Sequence, residues 1–550
     1  MKSQNQTLAI YGIQDTMNHR YPDYVHDHNI TLYEGGRILK HAALERLTRR
    51  KYDNTMPSHL YGLLKEEGML GKEDLDLVFV DNPVGRAFIN RSGNIRFEAP
   101  MNKGLSTLPE EGRAFFLDRQ VKAWAVNHEL AHVYTSLPFF GSFKENSLHV
   151  HFDGGASKSN FSAWLFREGK LSLIEYHWDL KYLSSLFNAN ALTFAIIGAG
   201  KKDQNSMPGK FMGYASYGQY NKKLEDWLKS HDFFKDMWGH KQLFFEQVKK
   251  DWKIKMGSFS LENPFIQDVA ATIQHIFERD LLKKLRQLKN HTHAVYLYYT
   301  GGSALNIKAN TALAESGMFR RVFIPPCTND SGLSIGAGAC MEWHKHGRVE
   351  SHSPYLNNWG LNNDEIRYSQ KDLYMVAELL VNGSAVAVCS GWAETGPRAL
   401  GNRSILARAD DPELAQWVSM DIKGREWYRP VAPVMLARNL SAFVPAAEAD
   451  ELSHYMLRQY KVPYLLSTQI HGALHVDITS RIQTLSQRAD NPWLFDLLEM
   501  LEEDYQMLAL LNTSFNAPGK PIVHTKEDAV REAREMGLTH LVLDGRYKRI

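Results

Sequence analysis

The sequence predicts an α/β protein of more than one domain. Short apolar, β-branched runs alternate with segments of helical period, and twice a strand runs into paired glycines before a polar or helical stretch: LHVHFDGGAS (148–157) and YLYYTGGSALNIKAN (296–310). The size agrees: 550 residues, 44% of them hydrophobic, can bury more than one core at roughly 150 residues per domain.

Charge and cysteine usage exclude several classes. With 64 Lys+Arg against 62 Asp+Glu the formal charge is +2, which supports neither an acidic tail nor a nucleic-acid coat. Cys327, Cys340 and Cys389 are odd in number and lack C-x-x-C spacing, so a disulfide framework and a thiolate metal knuckle are both disfavoured and a reducing compartment is expected. The opening MKSQNQTLAIYGIQD lacks the charged-then-apolar layout of a secretory signal, and no run approaches the roughly 18 apolar residues of a membrane span. A cytoplasmic protein with no membrane and no nucleic-acid partner is the expectation.

Taken in order, Thr7 to Ile13 reads as a strand, and Ile30–Tyr33 with Ile38–Ala43 as a hairpin about Gly35-Gly36. A helix follows from Pro57, then a buried strand at Leu75–Val80 before the Asn82-Pro83 break. The two Gly-Gly turns suggest a nucleotide held between two related lobes, because glycine lets backbone N–H groups approach phosphate oxygens; taken singly, each turn fits hairpin punctuation as well. Asn263-Pro264 opens a long helix carrying Phe265, Val269, Ile273, Ile276, Leu281 and Leu285 at core spacing. Residues 347–363 are polar and aperiodic and read as an interdomain connection, so the domains are set at 1–365 and 366–550, the second beginning with a helix at Lys371–Leu380 and a strand at Ala385–Cys389.

His128-Glu129-Leu130-Ala131-His132 puts two imidazoles on one helical face, and Asp153 and Asp330 supply carboxylates that would complete an N2O2 site suited to iron, manganese or zinc. The motif also matches an H-E-x-x-H zinc protease with Glu129 as base, although VYTSLP after His132 breaks the metzincin extension. The plainer alternative packs both histidines against Tyr134, Phe139 and Phe140. In the second domain GPRALGNRS (396–404) and IKGREWYRPVAP (422–433) set Arg398, Arg403, Lys423, Arg425 and Arg429 among Gly/Pro turns, the setting for clamping a planar anion such as phosphate or carboxylate. LNTSFN (511–516), placed after a strand at Met507–Leu511, adds hydroxyl and amide groups, or else forms Asx and Ser/Thr turns. HVDITSRIQT (475–484) brings Arg481 to the same pocket, with Asp477 as a partner for an arginine.

As an ordered set, NHELAHVYTS, DGGAS, PGKFMGYASYG, YTGGSALNIKAN, PPCTNDSGLSIGAG, GPRALGNRSILA, IKGREWYRPVAP, HVDITSRIQT and LNTSFNAPGKPIV resemble the NodU/CmcH carbamoyltransferases, from about residue 26 to the C-terminus. The resemblance implies an N-terminal actin-like (ASKHA, ribonuclease H-like) two-lobed domain followed by a C-terminal YrdC-like α/β domain. It implies an enzyme that combines carbamoyl phosphate with ATP, accompanied by magnesium, releases pyrophosphate and forms carbamoyl adenylate. The carbamoyl group then passes to a hydroxyl of a small-molecule natural product. Residue by residue, it makes Arg398, Lys423 and Arg429 the carbamoyl phosphate clamp, supported by Arg481, Asn512, Thr513 and Ser514. His128, His132, Asp153 and Asp330 become ligands of a divalent metal, iron(II) by analogy. Lys210, Gly154, Gly155, Gly301, Gly302, Ser303 and Asn306 hold the nucleotide, and a homodimer is compatible with the family.

The chain departs from the family pattern at His26-Asp27-His28-Asn29, which stands where His-Asp-Ser-Ser/Ala is usual and follows a longer loop. His26 is the candidate base for the hydroxyl proton. Glu45-Arg46 and Arg49-Arg50-Lys51 resemble the family's next segment or form a solvated face, and 83–110 and 176–206 are expected to shape the acceptor pocket. Two rivals share these folds. A tRNA threonylcarbamoyl-modifying enzyme would carry basic RNA-binding clusters that the net charge does not support; a non-catalytic actin-like nucleotide-binding protein leaves the arginine-rich turns unexplained. The zinc protease ranks last.

Overall fold

The computed structural model describes residues 5–12, 25–72, 74–81, 87–90, 92–98, 104–178, 191–200, 204–237, 239–361 and 365–550. Three mixed sheets and a two-stranded ribbon alternate with helices, the α/β architecture that the patterning predicts.

The first sheet runs in space 37–43, 29–34, 6–11, 75–80, 119–126, and then 110–116, 95–98 and 87–89. Its first three strands form an antiparallel meander and the next two add in parallel. The second sheet, 170–177, 161–167, 147–152, 296–300 and 321–323, has the same directions in the same order. Numbered within each unit, both read 3-2-1-4-5, the first with three antiparallel strands inserted before its fifth. The central strands LDLVFV and SLHVHF are buried at every position, as strands covered on both faces must be.

Each unit sends a helix onward from its fifth strand: His128–Tyr134 after 119–126, and Leu333–His346 after 321–323. The two helices cross closely at Gly336, where a Cβ would fall 1.8 Å from the Ala131 carbonyl oxygen. A residue with any side chain there would push the His128 helix away.

The third sheet is drawn wholly from 386–549, in the order 483–485, 432–436, 509–514, 403–408, 386–389, 540–543, 546–549. Asn512, Thr513 and Ser514 lie within its strand 509–514 rather than beyond it, because pairing with 403–408 reaches Ser514 and pairing with 432–436 reaches Asn512. The polar connection is held tightly at Asn357. Asn357 pairs with His41 on one side and Ala393 on the other, and its side chain accepts from Ala43 N–H at 2.9 Å and donates to Glu394 O at 2.7 Å. Its polar residues are consumed by backbone on both flanks. No helix among the described residues is long and apolar enough to cross a membrane.

Candidate functional site

The first site lies where the strands of both 3-2-1-4-5 units end, the position at which open α/β sheets bind ligands. His128 and His132 enter on the helix after the first unit, Asp153 follows strand 147–152, and Asp330 sits in the turn before the Leu333 helix. His128 Nε2 lies 3.1 Å from His132 Nε2 and 3.4 Å from Asp330 Oδ1; His132 Nε2 is 3.4 Å from Asp330 Oδ1 and 3.5 Å from Asp153 Oδ2. Ligands about 2.1 Å from one cation stand about 3.0 to 3.4 Å apart for octahedral or tetrahedral placement, so these spacings suit a single ion. The sequence-predicted set of four converges.

The surroundings hold these four side chains in place. Tyr11 O–H donates to Asp330 Oδ2 at 2.8 Å, Asn29 Nδ2 donates to the Asp330 carbonyl at 2.8 Å, and Gly302 N–H donates to Asp153 Oδ2. Burial opposes ionisation of Asp330, but the adjacent His128 and His132 outweigh it and hold the carboxyl well below its usual range. Asp153 is pushed up by burial and by the Asp330 charge. His128 Nδ1 and His132 Nδ1 are buried without hydrogen-bond partners.

Glu129 is turned to another task. Its wholly buried carboxylate accepts from Lys158 N–H at 2.7 Å, Ser159 N–H at 2.8 Å, Ser159 O–H at 3.0 Å and Ser157 N–H at 3.3 Å, so it pins the loop after Gly155. A protease base needs a carboxylate free to take a proton from water. That reading leaves Glu129 no access to its work.

The second site is a crowd of guanidinium groups. Arg398, Arg425, Arg429 and Arg481 lie within one another's fields: burial and Arg429 push Arg398 down to about 10, burial with Arg429 and Arg398 push Arg425 down to about 9, and Arg481 is driven well below its ordinary value by burial and the other three. Arg398 Nε, Arg481 Nε, Thr513 Oγ1 and Asn512 Oδ1 are buried there without partners. Unspent donors on mutually repelling cations are a chemistry that an anion could satisfy.

Family models for the carbamoyltransferase N-terminus and C-terminus match residues 110–340 and 377–549, together more than two thirds of the chain. The chain belongs to the carbamoyltransferase family. Nodulation protein NolO of Bradyrhizobium diazoefficiens is 28% identical over 446 residues, 76% of this chain and 78% of that one. Nodulation protein U of Azorhizobium caulinodans is 26% identical over 544 residues, 90% and 92% of the two chains. A crystal structure of full-length HypF in a phosphate- and nucleotide-bound form superposes with TM-score 0.32 at 10% identity, over 64% of this chain and 48% of that one, too slight a likeness to carry anything across.

The carbamoyltransferase distributes the remaining predicted residues unevenly. Lys423 Nζ lies 2.5 Å from Ser514 O, 2.6 Å from Asn516 O and 2.7 Å from Asn516 Oδ1, so its ammonium anchors the 514–516 turn beside the arginines. Arg403 is a framework residue that donates to the carbonyls of Ser390, Gly391, Asn402 and His524. Asn512 Nδ2 donates to Ala399 O and Gln483 Oε1, and Ser514 Oγ donates to Asn516 Oδ1. Lys210 reaches from the N-terminal half to Glu426 at 2.8 Å, and Glu426 also accepts from Arg429 at 3.1 Å. Asp477 pairs with Lys308 at 3.2 Å rather than with an arginine.

The glycine turns serve the first site directly. Gly154 and Gly302 each give an amide to Asp153, Ser303 O–H donates to Phe152 O at 2.7 Å, and Asn306 Oδ1 caps the helix Ile307–Glu315. Gly155 lies between Asp153 and the loop that Glu129 holds.

His26 Nδ1 is 3.1 Å from Asp27 Oδ2. Burial lowers its pKa, but the Asp27 bond and the charges of Asp330, Asp27 and Asp153 prevail and raise it to about 9. Arg46 and Arg49 do not form a solvated face: Arg46 is 2% exposed and donates to Gly396 O at 3.1 Å, and Arg49 donates to Glu532 at 2.6 Å. The expected acceptor loops include 83–86, 91, 99–103, 179–190 and 201–203, which lie outside the described residues. Sequence reasoning missed Tyr11 and Asn29, whose partner Asp330 is some 300 positions away. It also missed His151, although HVHFD sets an imidazole two residues before Asp153.

Proposed function

We propose that this carbamoyltransferase activates carbamoyl phosphate with ATP at the arginine cluster and transfers the carbamoyl group to a hydroxyl of a small-molecule acceptor at the His/Asp centre. The observation that carries the first half is the set of unpartnered Arg398 and Arg481 donors among repelling guanidinium groups. The repeated 3-2-1-4-5 order supports an actin-like N-terminal domain, and the separate sheet from 386 onward supports a second, YrdC-like unit.

Atoms balance if water opens carbamoyl phosphate to carbamate and phosphate, and a carbamate oxygen then displaces pyrophosphate from the α-phosphorus of ATP, leaving carbamoyl adenylate. Arg398, Arg425, Arg429 and Arg481 neutralise the phosphate oxygens; Lys423 holds the 514–516 turn that frames them. Lys210 and the glycine turns at 154–155 and 301–302 carry the nucleotide part. In the second step the acceptor oxygen bonds to the carbamoyl carbon, the bond to AMP breaks and the hydroxyl proton is taken up.

His128, His132, Asp153 and Asp330 fit a divalent cation by donor type and spacing, and iron(II) bound there would polarise the carbamoyl carbonyl as a Lewis acid. His26 is the proton acceptor in this reading. It can accept the hydroxyl proton only after giving up its own: a cation that neutralised Asp330 and Asp153 would remove two of the fields that hold that proton, while the Asp27 hydrogen bond, the largest of them, would remain.

The test separates the half-reactions. Purified protein with ATP and carbamoyl phosphate, but no acceptor, should release pyrophosphate and form an adenylate visible by mass spectrometry. Arg398→Ala should abolish that release, whereas His132→Ala should spare it and block acceptor carbamoylation. Equal loss of both steps in both variants would sink the two-site assignment.

A further inference from the structure

We propose that His151 is a third imidazole ligand of the cation centre, giving it three nitrogen and two carboxylate donors. This inference rests on the reading of His128, His132, Asp153 and Asp330 as a cation site.

His151 lies on strand 147–152, two positions before Asp153, so the chain directs both toward the same side. Its side chain is 0% exposed, and its Nε2 has no hydrogen-bond partner. A buried ring nitrogen left unpaired is costly, and a cation is a partner that would relieve it. The ring lies nearly parallel to that of His132, with centroids 4.9 Å apart and planes inclined by 22°. One nitrogen from each of His128, His132 and His151 falls within 4.8 Å of the other two, a bound a little wider than the roughly 4.2 Å between two trans ligands, so ligation would draw the His151 ring inward.

The opposite edge of the ring is already oriented. His151 Nδ1 is 3.3 Å from Ser162 Oγ on the neighbouring strand, and that oxygen also accepts from Trp164 Nε1 at 3.0 Å. A histidine that ligates through Nε2 carries its proton on Nδ1 and gives it to a nearby oxygen, which is the arrangement Ser162 provides. Three imidazoles shift the donor set away from the oxygen-rich shells of magnesium and calcium and toward iron(II), cobalt(II) or zinc(II). With five protein donors, a six-coordinate ion retains one position for substrate.

The experiment counts imidazoles in the full chain. Protein stripped with a chelator and reloaded anaerobically with cobalt(II) is examined by X-ray absorption, where each ligated imidazole adds multiple scattering. Three imidazoles per cobalt are expected in the native protein and two in His151→Asn. Competition against a chromophoric chelator should show the variant's cobalt affinity reduced at least about 100-fold, beyond what loss of an outer partner costs. Two imidazoles in the native protein, or an unchanged count and affinity in the variant, would overturn the role of His151 while leaving the four-ligand centre standing. No cobalt uptake at all would overturn that centre and this inference together. Should His151→Asn fail to fold by circular dichroism, the native count decides alone.

Discussion

At the His128–His132 centre, two imidazoles and two carboxylates meet within 3.5 Å and cancel much of one another's charge; around Arg398, four guanidinium groups crowd together with Glu426 as the carboxylate that offsets Arg425 and binds Arg429. The first region is compensated and can wait for a cation at modest cost. The second carries uncompensated like charges that an anion would relieve. Ligand-free stability and ligand affinity should therefore oppose each other at the arginine cluster and not at the His/Asp centre.

The largest expected effect tests that opposition from the affinity side. Replacing Arg398 and Arg481 together by alanine should weaken carbamoyl phosphate binding, measured by calorimetry, by at least about 100-fold, since each charge-assisted contact is worth about 1.5 to 3 kcal/mol. A loss under tenfold would mean that the anion sits elsewhere. Next in size is Glu129→Ala, which strands three amides, those of Ser157 and Ser159 on buried residues and that of Lys158 on a half-buried one, and should lower unfolding stability by about 3 kcal/mol in denaturant titration. Pyrophosphate release should persist in whatever fraction remains folded.

A smaller effect reads the stability side. Arg481→Ala alone should raise the melting temperature of the anion-free protein by about 2 °C, because a repelling charge is gone, while abolishing the upward shift that phosphate gives the native chain. A fall in melting temperature would show that packing of the arginine stem outweighs its charge. The smallest effect concerns the Lys210–Glu426–Arg429 bridge. Burial would raise the Glu426 pKa, but Lys210 and Arg429 depress it from 4.5 to about 2. A depressed carboxylate stabilises the fold above pH 4.5 and loses that contribution as pH falls toward 2. The melting difference between native protein and Glu426→Gln should be level from pH 7 to 5 and close between pH 4.5 and 2.

Much of this was legible in sequence because the signals were local. Helical spacing put His128 and His132 on one face, strand-ending glycines marked the turn beside Asp153, and β-branched runs located the central strands. The rest was set by contacts far apart in the chain. Glu129 reads as a protease base until the amides 28 to 30 residues onward claim it. Arg403 and Arg398 look equivalent in GPRALGNRS, yet one faces four carbonyls and the other keeps an open Nε. Asn512 to Ser514 look like a loop because polar residues rarely declare a strand, and it is the neighbouring strand 403–408, joined at Asn512 by 432–436, that makes them one.

Gly396 adopts φ +94°, and a Cβ there would fall 2.2 Å from the carbonyl oxygen of Pro326, four residues before Asp330. Together with Asn357 stitched to both flanks, this seat makes the chain a poor subject for cut-and-paste. A chimera that swaps the C-terminal half of a relative onto this N-terminal half has to match the 324–330 turn to the incoming 391–400 loop. A junction placed at residue 365 on linker logic alone would carry its donor's loop onto the Pro326 seat four residues from Asp330, so domain exchange with this chain should be planned around that contact.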